Sequence, residues 1–335
     1  MSTILLSINI GTSNTSIYKC GEGMVLVEPS MIAFSGTGKN KVIKAVGIKA
    51  KKMLGRSGGT SVVSPIFEGS VIDSEMATEM LKVFLSKVSN NKLFRPKIIA
   101  VLCVPMGLSK AEKATFEKVC YNAGISEVTL IPKVVATAIG YSMDISSAHG
   151  SLIAVMGGGT SEVAVLSLNS IISGMSLGIG GSKIDVAIEK YIEEKCEMEI
   201  GAGVSEKIKQ EIGSLYANDN SETEFMGTSK KSGIAEPMVV HASELFPVIS
   251  YYYDLLAETI SSMISACPPD IVSDITNDGV FLFGGSLLMT GSENYFKKKI
   301  GVKVLLRDDI IHADVIGGAM LLENPKQLKE LLTNL

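Results

Sequence analysis

One short pattern occurs twice in this chain, about half its length apart, and it constrains the fold more than any other feature. The first copy is LLSINIGTSNT, residues 5–15, and the second is LIAVMGGGTSE, residues 152–162. Each copy predicts an apolar strand, a tight turn of Gly, Thr and Ser, and a second strand. Glycines allow close backbone approach in such a turn, so successive amide groups can form a concave site for phosphate oxygens. The duplication predicts two related lobes that hold one nucleotide between them.

The alternative is that both copies are ordinary β-hairpins without a ligand, which explains one copy more easily than two in matching positions.

Length agrees with two lobes, because 335 residues are many for a single core. The formal charge of -4 leaves no broad basic surface of the kind that duplex nucleic acid requires. Nucleic acid is therefore not an expected partner.

Cysteine and histidine usage gives no sign of a disulfide framework or a metal site. The five cysteines are scattered without a CxxC pair, which predicts reduced thiols in a cytoplasmic protein. The three histidines have no metal-ligand spacing. We expect no signal peptide before the first strand and no transmembrane helix, since no apolar run reaches about 20 residues.

Strand-like and helix-like segments alternate along the chain, which indicates a layered α/β architecture. The predicted strands are 3–10, 15–20, 24–28, 97–104, 151–156, 162–167 and 279–283. The predicted helices are 75–89, 109–123, 182–195, 205–216 and 248–266. The polar stretch 218–237 predicts an exposed hairpin or loop.

Further motifs follow the first turn in an ordered series. They are AKKMLGR at 50–56, GSVID at 69–73, ATAIG at 136–140, EKIKQEIG at 206–213 and GGS at 284–286. Together with the two turns, this series resembles the MreB family of bacterial actins essentially from end to end. That family lies in the superfamily of actin, the Hsp70 ATPase domain and the sugar kinases.

The resemblance implies an α/β, actin-like fold of two duplicated ribonuclease-H-like lobes. Each lobe is expected to be a mixed sheet flanked by helices, with a nucleotide cleft between the lobes. The implied subdomains are IA (1–32, 67–143 and 315–335), IB (33–66), IIA (144–179 and 243–314) and IIB (180–242).

The resemblance also implies which residues bind ATP or ADP. The first phosphate turn is Gly11, Thr12, Ser13 and Asn14, and the second is Gly157, Gly158, Gly159 and Thr160. Glu206 and Lys209 match a pair that holds the ribose and the adenine edge, and Gly284, Gly285 and Ser286 match a turn against the adenine. Gly180, Gly181 and Asp185 match a further turn near the nucleotide. The alternative for Glu206 and Lys209 is a solvated pair on one helix face, since they are one helical turn apart.

Three positions depart from the family pattern, each by loss of an acid. Relatives have an Asp in the first phosphate turn, an Asp opening the second turn and a Glu before a Pro, where this chain has Asn9, Val155 and Lys133. A positioned acid or base contributes roughly 10² to 10⁴ in rate, and Mg²⁺ prefers carboxylate and water ligands. We therefore expect no intact catalytic residue, weak or absent ATP hydrolysis and weakened Mg²⁺ binding. Three negative charges are lost beside the phosphates and one positive charge is gained.

Lys133 suggests a hypothesis of its own, because a cation appears where metal ligands disappear. In this hypothesis the ammonium partly replaces the metal by pairing with the β- or γ-phosphate. The alternative is that Lys133 points to solvent or pairs with Glu162.

The segment KLFRPK, residues 92–97, matches a loop that many relatives insert into lipid. Leu93 and Phe94, flanked by cations, suit an anionic membrane surface. We expect peripheral contact with the inner face of the cell membrane; the alternative is that both side chains pack against their own lobe.

The expected function is that of a cytoplasmic cytoskeletal protein whose filaments serve cell shape or movement. Its expected partners are further copies of itself and paralogous filament proteins. One alternative is a pseudo-ATPase that does not polymerise and instead modulates the filaments of an active paralogue. A small-molecule kinase and a chaperone-type nucleotide switch are weaker alternatives, the kinase because the catalytic acids are missing.

Overall fold

The computed structural model describes residues 3–55, 58–89, 96–307 and 311–335. Its strands are β1 Thr3–Ile10, β2 Asn14–Lys19, β3 Gly23–Pro29, β4 Ile32–Ser35, β5 Val42–Val46, β6 Thr60–Val63, β7 Ile66–Phe67, β8 Ser70–Val71, β9 Lys97–Val104, β10 Glu127–Pro132, β11 Ser151–Met156, β12 Ser161–Ser167, β13 Ser170–Leu177, β14 Met198–Ile200, β15 Glu222–Ser229, β16 Ala235–His241, β17 Val280–Phe283 and β18 Val304–Leu306.

Helices lie between these strands and after the last of them. They are α1 Ile48–Lys51, α2 Ser74–Val88, α3 Lys110–Ala123, α4 Lys133–Gly140, α5 Gly181–Lys195, α6 Val204–Ile212, α7 Ala242–Ala266, α8 Pro269–Asp278, α9 Ser292–Ile300, α10 Ala313–Glu323 and α11 Pro325–Asn334. Short 3₁₀ helices span Gly38–Asn40 and Gly285–Leu288. Among the described residues no helix is long and apolar enough to cross a membrane.

Two five-stranded sheets share one topology. The first has the order β10-β9-β1-β2-β3, and the second has the order β18-β17-β11-β12-β13. In each sheet the strand before the Gly-Thr-Ser turn pairs antiparallel with the strand after it and parallel with a strand from later in the chain. The duplicated sequence pattern therefore corresponds to a duplicated topology, which confirms the predicted pair of mixed sheets.

Each sheet has its own apolar core, and a third core joins the two. This third core contains Val101 of β9, Ile153 and Val155 of β11, and the helix α4. Every residue from Lys133 to Ile139 is buried, so α4 lies inside the molecule between the two sheets. Helix α10 packs on α4 and on β1.

Two three-stranded sheets complete the molecule, β5-β4-β6 and β14-β15-β16. The second contains the exposed hairpin predicted for the polar stretch, formed by β15 and β16.

Two predicted helix boundaries were wrong. The helix predicted from residue 248 begins at Ala242, because Glu244 accepts a hydrogen bond from the His241 backbone and Pro247 is accommodated inside the helix. The helix predicted to reach residue 216 ends at Ile212, where Gly213 follows.

The predicted membrane contact through Leu93 and Phe94 falls outside the described residues. It stays a prediction.

Candidate functional site

A cavity of about 500 Å³ lies between the two five-stranded sheets. Every residue to which the sequence assigned a nucleotide contact lines it: Gly11, Thr12, Ser13, Asn14, Gly157, Gly158, Gly159, Thr160, Glu206, Lys209, Gly284, Gly285 and Ser286. Gly181 and Asp185 of the further turn line it as well, and so do Asn9, Lys133 and Val155, whereas Gly180 of that turn is not a lining residue. The two Gly-Thr-Ser turns therefore belong to one site, although they are far apart in the sequence.

The two turns face each other across the cleft. A β-carbon on Gly158 would overlap the side chain of Ser13, and one on Gly159 would overlap Thr12. Each turn is closed in the same way by a backbone bond, from Gly11 N–H to Asn14 at 3.1 Å and from Gly157 N–H to the Thr160 carbonyl at 2.8 Å. Glycine is required here because the turns come too close for any side chain.

Other segments brace the second turn from behind. The backbone N–H groups of Gly181 and Ser182 donate to the carbonyls of Gly157 and Gly158, at 3.0 and 2.8 Å. The Ser286 hydroxyl also donates to the Gly157 carbonyl, at 2.8 Å. These bonds use the carbonyl groups of the turn.

Glu206 and Lys209 do not form a solvated pair with each other. Lys209 donates to the Gly181 carbonyl at 2.8 Å and lies 2.7 Å from Asp185. Burial raises the pKa of Asp185, and Lys209 partly opposes that rise. Glu206 instead pairs with Lys51 at 2.6 Å, across the mouth of the cleft.

Lys133 forms an ion pair at the floor of the cleft. Its ammonium lies 2.9 Å from Oε1 of Glu162 and 3.4 Å from the Thr160 hydroxyl. Burial alone would lower the pKa of Lys133, but the facing Glu162 carboxylate raises it above its ordinary value. The other oxygen of Glu162 accepts the Met106 backbone N–H at 3.1 Å. Of the contacts weighed for Lys133 from the sequence, the structure therefore shows the one with Glu162.

Asn9 contacts a carboxylate that the sequence analysis did not single out. Its amide nitrogen donates to Oδ2 of Asp314 at 2.5 Å, and the Val315 N–H donates to Oδ1 at 2.8 Å. Asp314 is 7% exposed, and burial raises its pKa. The only local signal was an acid at the start of the apolar segment ADVIGGAML, which is typical of the first turn of a helix.

The charge at this cavity also depends on two carboxyl groups that the count of lost acids did not include. Glu162 and Asp314 bring two carboxyl groups to the place where three acids are missing and Lys133 has been gained. Val155, in contrast, is buried in the core that joins the sheets and offers no polar atom. Lys133 is therefore not an unopposed cation.

The resemblance implies Mg²⁺ at this site. In the described part of the chain, no three His, Cys, Asp or Glu side chains are placed to hold a metal ion directly. Glu162 and Asp314 are each engaged by protein donors, whereas the amide oxygen of Asn9 lies beside Gly11 of the first turn. This donor set fits a hydrated Mg²⁺, which keeps several waters and binds mainly to phosphates. Asn9 would contact such an ion through its water.

The protein-family model described as MreB/Mbl protein matches residues 3–330. The chain is 34% identical to the cell shape-determining protein MreB of Escherichia coli (strain K12), over 95% of this chain and 93% of that protein. It is 28% identical to the cell shape-determining protein Mbl of Bacillus subtilis (strain 168), over 96% and 97%.

Two solved proteins have a similar fold. MreB5 of Spiroplasma citri bound to AMPPNP has a TM-score of 0.89 at 24% identity, covering 98% of this chain and 99% of that one. The same protein bound to ADP has a TM-score of 0.89 at 25% sequence identity, with 98% of each chain covered. The MamK double helical filament has a TM-score of 0.80 at 17% identity, covering 96% and 99%. The actin-like fold is confirmed.

Proposed function

Because the chain belongs to the MreB/Mbl family, we propose that it is an actin-like cytoskeletal protein that binds ATP or ADP between its lobes and polymerises into filaments for cell shape or movement. The observation that carries this proposal is the single cavity lined by both Gly-Thr-Ser turns. The solved relative with AMPPNP or ADP supports nucleotide binding, and the MamK filament supports self-association.

In this proposal each lobe supplies one turn to the phosphates. The amide groups that do not close the two turns bind phosphate oxygens, while the Gly157 and Gly158 carbonyls of the second turn are occupied by the bracing contacts described above. Glu206 binds the ribose, Lys209 lies at the adenine edge, and Gly284 to Ser286 lie against the adenine. Since the nucleotide touches both lobes, its binding favours the closed arrangement and thereby biases contacts between subunits. The four subdomains keep the boundaries that the resemblance implies.

Hydrolysis is weak or absent in this proposal because, among the described residues at the floor of the cleft, no carboxylate is free to orient the attacking water. Lys133 stands where relatives have a Glu, and an ammonium accepts no proton. Glu162 is engaged by Lys133 and by the Met106 N–H. Lys133 has three N–H donors, of which Glu162 and Thr160 use two, so one remains for a phosphate oxygen. When bound, Mg²⁺ would neutralise phosphate charge, with Asn9 contacting it through water.

Filaments and membrane attachment belong together in this proposal. Leu93 and Phe94 contribute only a few kcal/mol per subunit at a membrane surface, so stable attachment requires many copies acting together. Filaments that do not hydrolyse ATP quickly are expected to turn over slowly, at the inner face of the cell membrane.

The test is ATP turnover measured together with sedimentation of the pure protein, with and without Mg²⁺. The comparison variant restores the three acids through Asn9→Asp, Lys133→Glu and Val155→Asp. Thermal unfolding checks that it folds, because two of these changes place a second carboxylate beside Glu162 and Asp314. Sedimenting filaments with negligible phosphate release, and faster release by the triple variant, are the expected results. Brisk Mg²⁺-dependent turnover by the unaltered protein would contradict the proposed loss of hydrolysis.

The second candidate is the pseudo-ATPase that modulates an active paralogue, favoured by the Lys133–Glu162 pair at the position of the missing acid. Light scattering of the pure protein separates the two. Growth of scattering with AMPPNP supports a polymer, whereas nucleotide binding without any growth supports the modulator.

A further inference from the structure

The contact between Asn9 and Asp314 joins residues that are 305 positions apart. Asn9 lies near the end of β1, just before the first phosphate turn, and Asp314 lies in the first turn of α10. Both side chains line the cavity. Their 2.5 Å contact is a hydrogen bond to a charged acceptor, which is stronger than one between neutral groups.

This contact decides which end of the Asn9 amide faces the nucleotide site. A carboxylate only accepts hydrogen bonds, so the amide must turn its NH₂ group toward Asp314. Its oxygen then lies on the side of the phosphate turn, 3.7 Å from the position that a β-carbon on Gly11 would occupy. Without Asp314, the amide would be free to present either end.

Asp314 itself is firmly placed. The Val315 N–H donates to Oδ1, and the Cys103 thiol donates to the Asp314 carbonyl at 3.2 Å. Further along α10, a β-carbon on Gly317 would come within 2.6 Å of the Gly140 nitrogen. The helix therefore packs directly on the backbone of α4, which leaves the carboxylate little room to move.

We propose that Asp314 is a positioning residue of the nucleotide site, which holds Asn9 with its amide oxygen toward the first phosphate turn. This inference rests on the proposed nucleotide binding. The family pattern has a carboxylate at position 9, whereas this chain has the Asn9 amide there and the Asp314 carboxylate behind it. This arrangement keeps an oxygen at the turn and places the negative charge behind it.

The orientation has a consequence for cation dependence. An amide oxygen facing a phosphate is unfavourable unless a cation or its bound water stands between them, whereas an NH₂ group would bind the phosphate directly. Asp314 thus couples nucleotide affinity to Mg²⁺.

Asp314→Asn makes a sharp test because the Val315 N–H continues to require an acceptor at Oδ1. The new NH₂ group then replaces Oδ2 and faces the NH₂ group of Asn9. Asn9 must turn its oxygen toward residue 314 and its NH₂ group toward the phosphates. We expect Asp314→Asn to bind AMPPNP more tightly in EDTA and to reduce the gain in affinity on adding MgCl₂ by about tenfold, the effect of one charge-assisted hydrogen bond.

The matched control exchanges the pair through Asn9→Asp combined with Asp314→Asn. This double variant keeps the total charge and the hydrogen bond, and only moves the carboxylate to the turn. It should restore the Mg²⁺ dependence to at least that of the unaltered protein. The single variant Asn9→Asp places two carboxylates together and should destabilise the fold, because like charges at this distance oppose ionisation.

The experiment is calorimetric titration of the unaltered protein and these variants with AMPPNP, in MgCl₂ and in EDTA, with thermal unfolding as a check on folding. Loss of Mg²⁺ dependence in Asp314→Asn and its return in the exchanged pair support the inference. The inference is overturned if the Mg²⁺ dependence of AMPPNP affinity is the same in all three proteins: the unaltered protein, Asp314→Asn and the exchanged pair. If Asp314→Asn does not fold, the exchanged pair alone decides. The inference is then overturned if AMPPNP binding by the exchanged pair depends less on Mg²⁺ than binding by the unaltered protein. Absence of AMPPNP binding by the unaltered protein overturns the proposed function and, with it, this inference.

Discussion

Lys133 and Glu162 are the residues whose charges shape the floor of the cleft. Glu162 is fully buried and Lys133 nearly so, and each is the other's partner at 2.9 Å. A buried ion pair gains little over an apolar replacement, but removing one member leaves an uncompensated charge in the interior. The two residues should therefore behave as a unit.

We predict that Lys133→Met lowers the free energy of unfolding by about 3–5 kcal/mol, because it leaves the Glu162 carboxylate buried and unpaired. The double variant Lys133→Met with Glu162→Gln should recover most of that loss, since Gln keeps an acceptor for the Met106 N–H. Urea unfolding of the nucleotide-free protein measures both. If the loss of unfolding free energy in the double variant equals the sum of the losses in Lys133→Met and in Glu162→Gln, the two residues are not coupled, which would contradict the pairing.

At the scale of elements, α4 and α10 are packed through glycines at their closest approach. A β-carbon on Gly317 would overlap the Ala136 carbonyl, and one on Gly140 would overlap the Ala313 carbonyl. Both obstacles are backbone, which cannot move aside as a side chain can. This close packing fixes the first turn of α10, and with it Asp314, beside the phosphate turn.

We predict that Gly317→Ala forces the two helices apart and lowers the free energy of unfolding by about 1–3 kcal/mol, as overpacking does elsewhere. It should also weaken AMPPNP binding in MgCl₂, because Asp314 moves with the helix. The control is Met320→Ala on the same helix, whose side chain is 38% exposed and whose removal should have little effect. Denaturant unfolding and calorimetry make the comparison. If Gly317→Ala and Met320→Ala have the same stability and the same AMPPNP affinity, the close contact between α4 and α10 is not critical.

His149 ties the segment before β11 to α8. Its ring nitrogens lie 3.1 Å from Asp274 and 2.7 Å from Asp278. The hydrogen bond to Asp278 raises the pKa of His149 above its ordinary value of 6.5, with Asp274 and Asp144 adding to the rise.

Because the folded-state pKa is raised, the stabilisation by His149 is complete below pH 6.5 and is lost as the pH rises through the folded-state value. We predict that His149→Gln destabilises the protein more at pH 5.5–6.5 than at pH 8. The effect should be small, since exposed ion pairs contribute about 0.2–1 kcal/mol. Melting temperatures across this pH range test it, and a difference that does not depend on pH would contradict it.

For the whole molecule, ion pairs span the cleft between the lobes. Lys51 of α1 reaches Glu206 of α6 at 2.6 Å, and Lys183 of α5 reaches Glu68, between β7 and β8, at 2.5 Å. These contacts join residues of the two lobes across the cleft. If Glu206 lies at the ribose as proposed, nucleotide exchange requires the cleft to open there. That opening must break the Lys51–Glu206 pair.

We predict that Lys51→Met accelerates ADP release about two- to fivefold, the effect expected of an exposed ion pair. The same variant should lose part of the salt dependence of the release rate, because screening acts on the removed pair while the Lys183–Glu68 pair remains. Lys190→Met is a suitable control, since among the described residues Lys190 pairs within α5, with Glu194. Stopped-flow release of a fluorescent ADP analogue measures the rates. Equal rates for Lys51→Met and the unaltered protein would show that the pair does not limit opening.

The sequence by itself determined the features that depend on neighbours along the chain. The two Gly-Thr-Ser turns, the strands that flank them, the exposed hairpin and the most regular helices are local patterns, because strand and helix periodicity and turn residues act over a few positions. The repeated turn also predicted the pairing of two sheets. The lost acids at positions 9, 133 and 155 could be recognised only against the family pattern.

Only the tertiary structure decided which charges meet in the cleft. Helix α10 has few sequence signals of its own, since its glycine pair is typical of a turn and serves here for close packing on α4. Asp314 therefore reached Asn9 from the far end of the chain, and Glu162 met Lys133 from the other lobe. Such pairs depend on how the lobes pack, and electrostatic partners are set by distance in space rather than along the sequence.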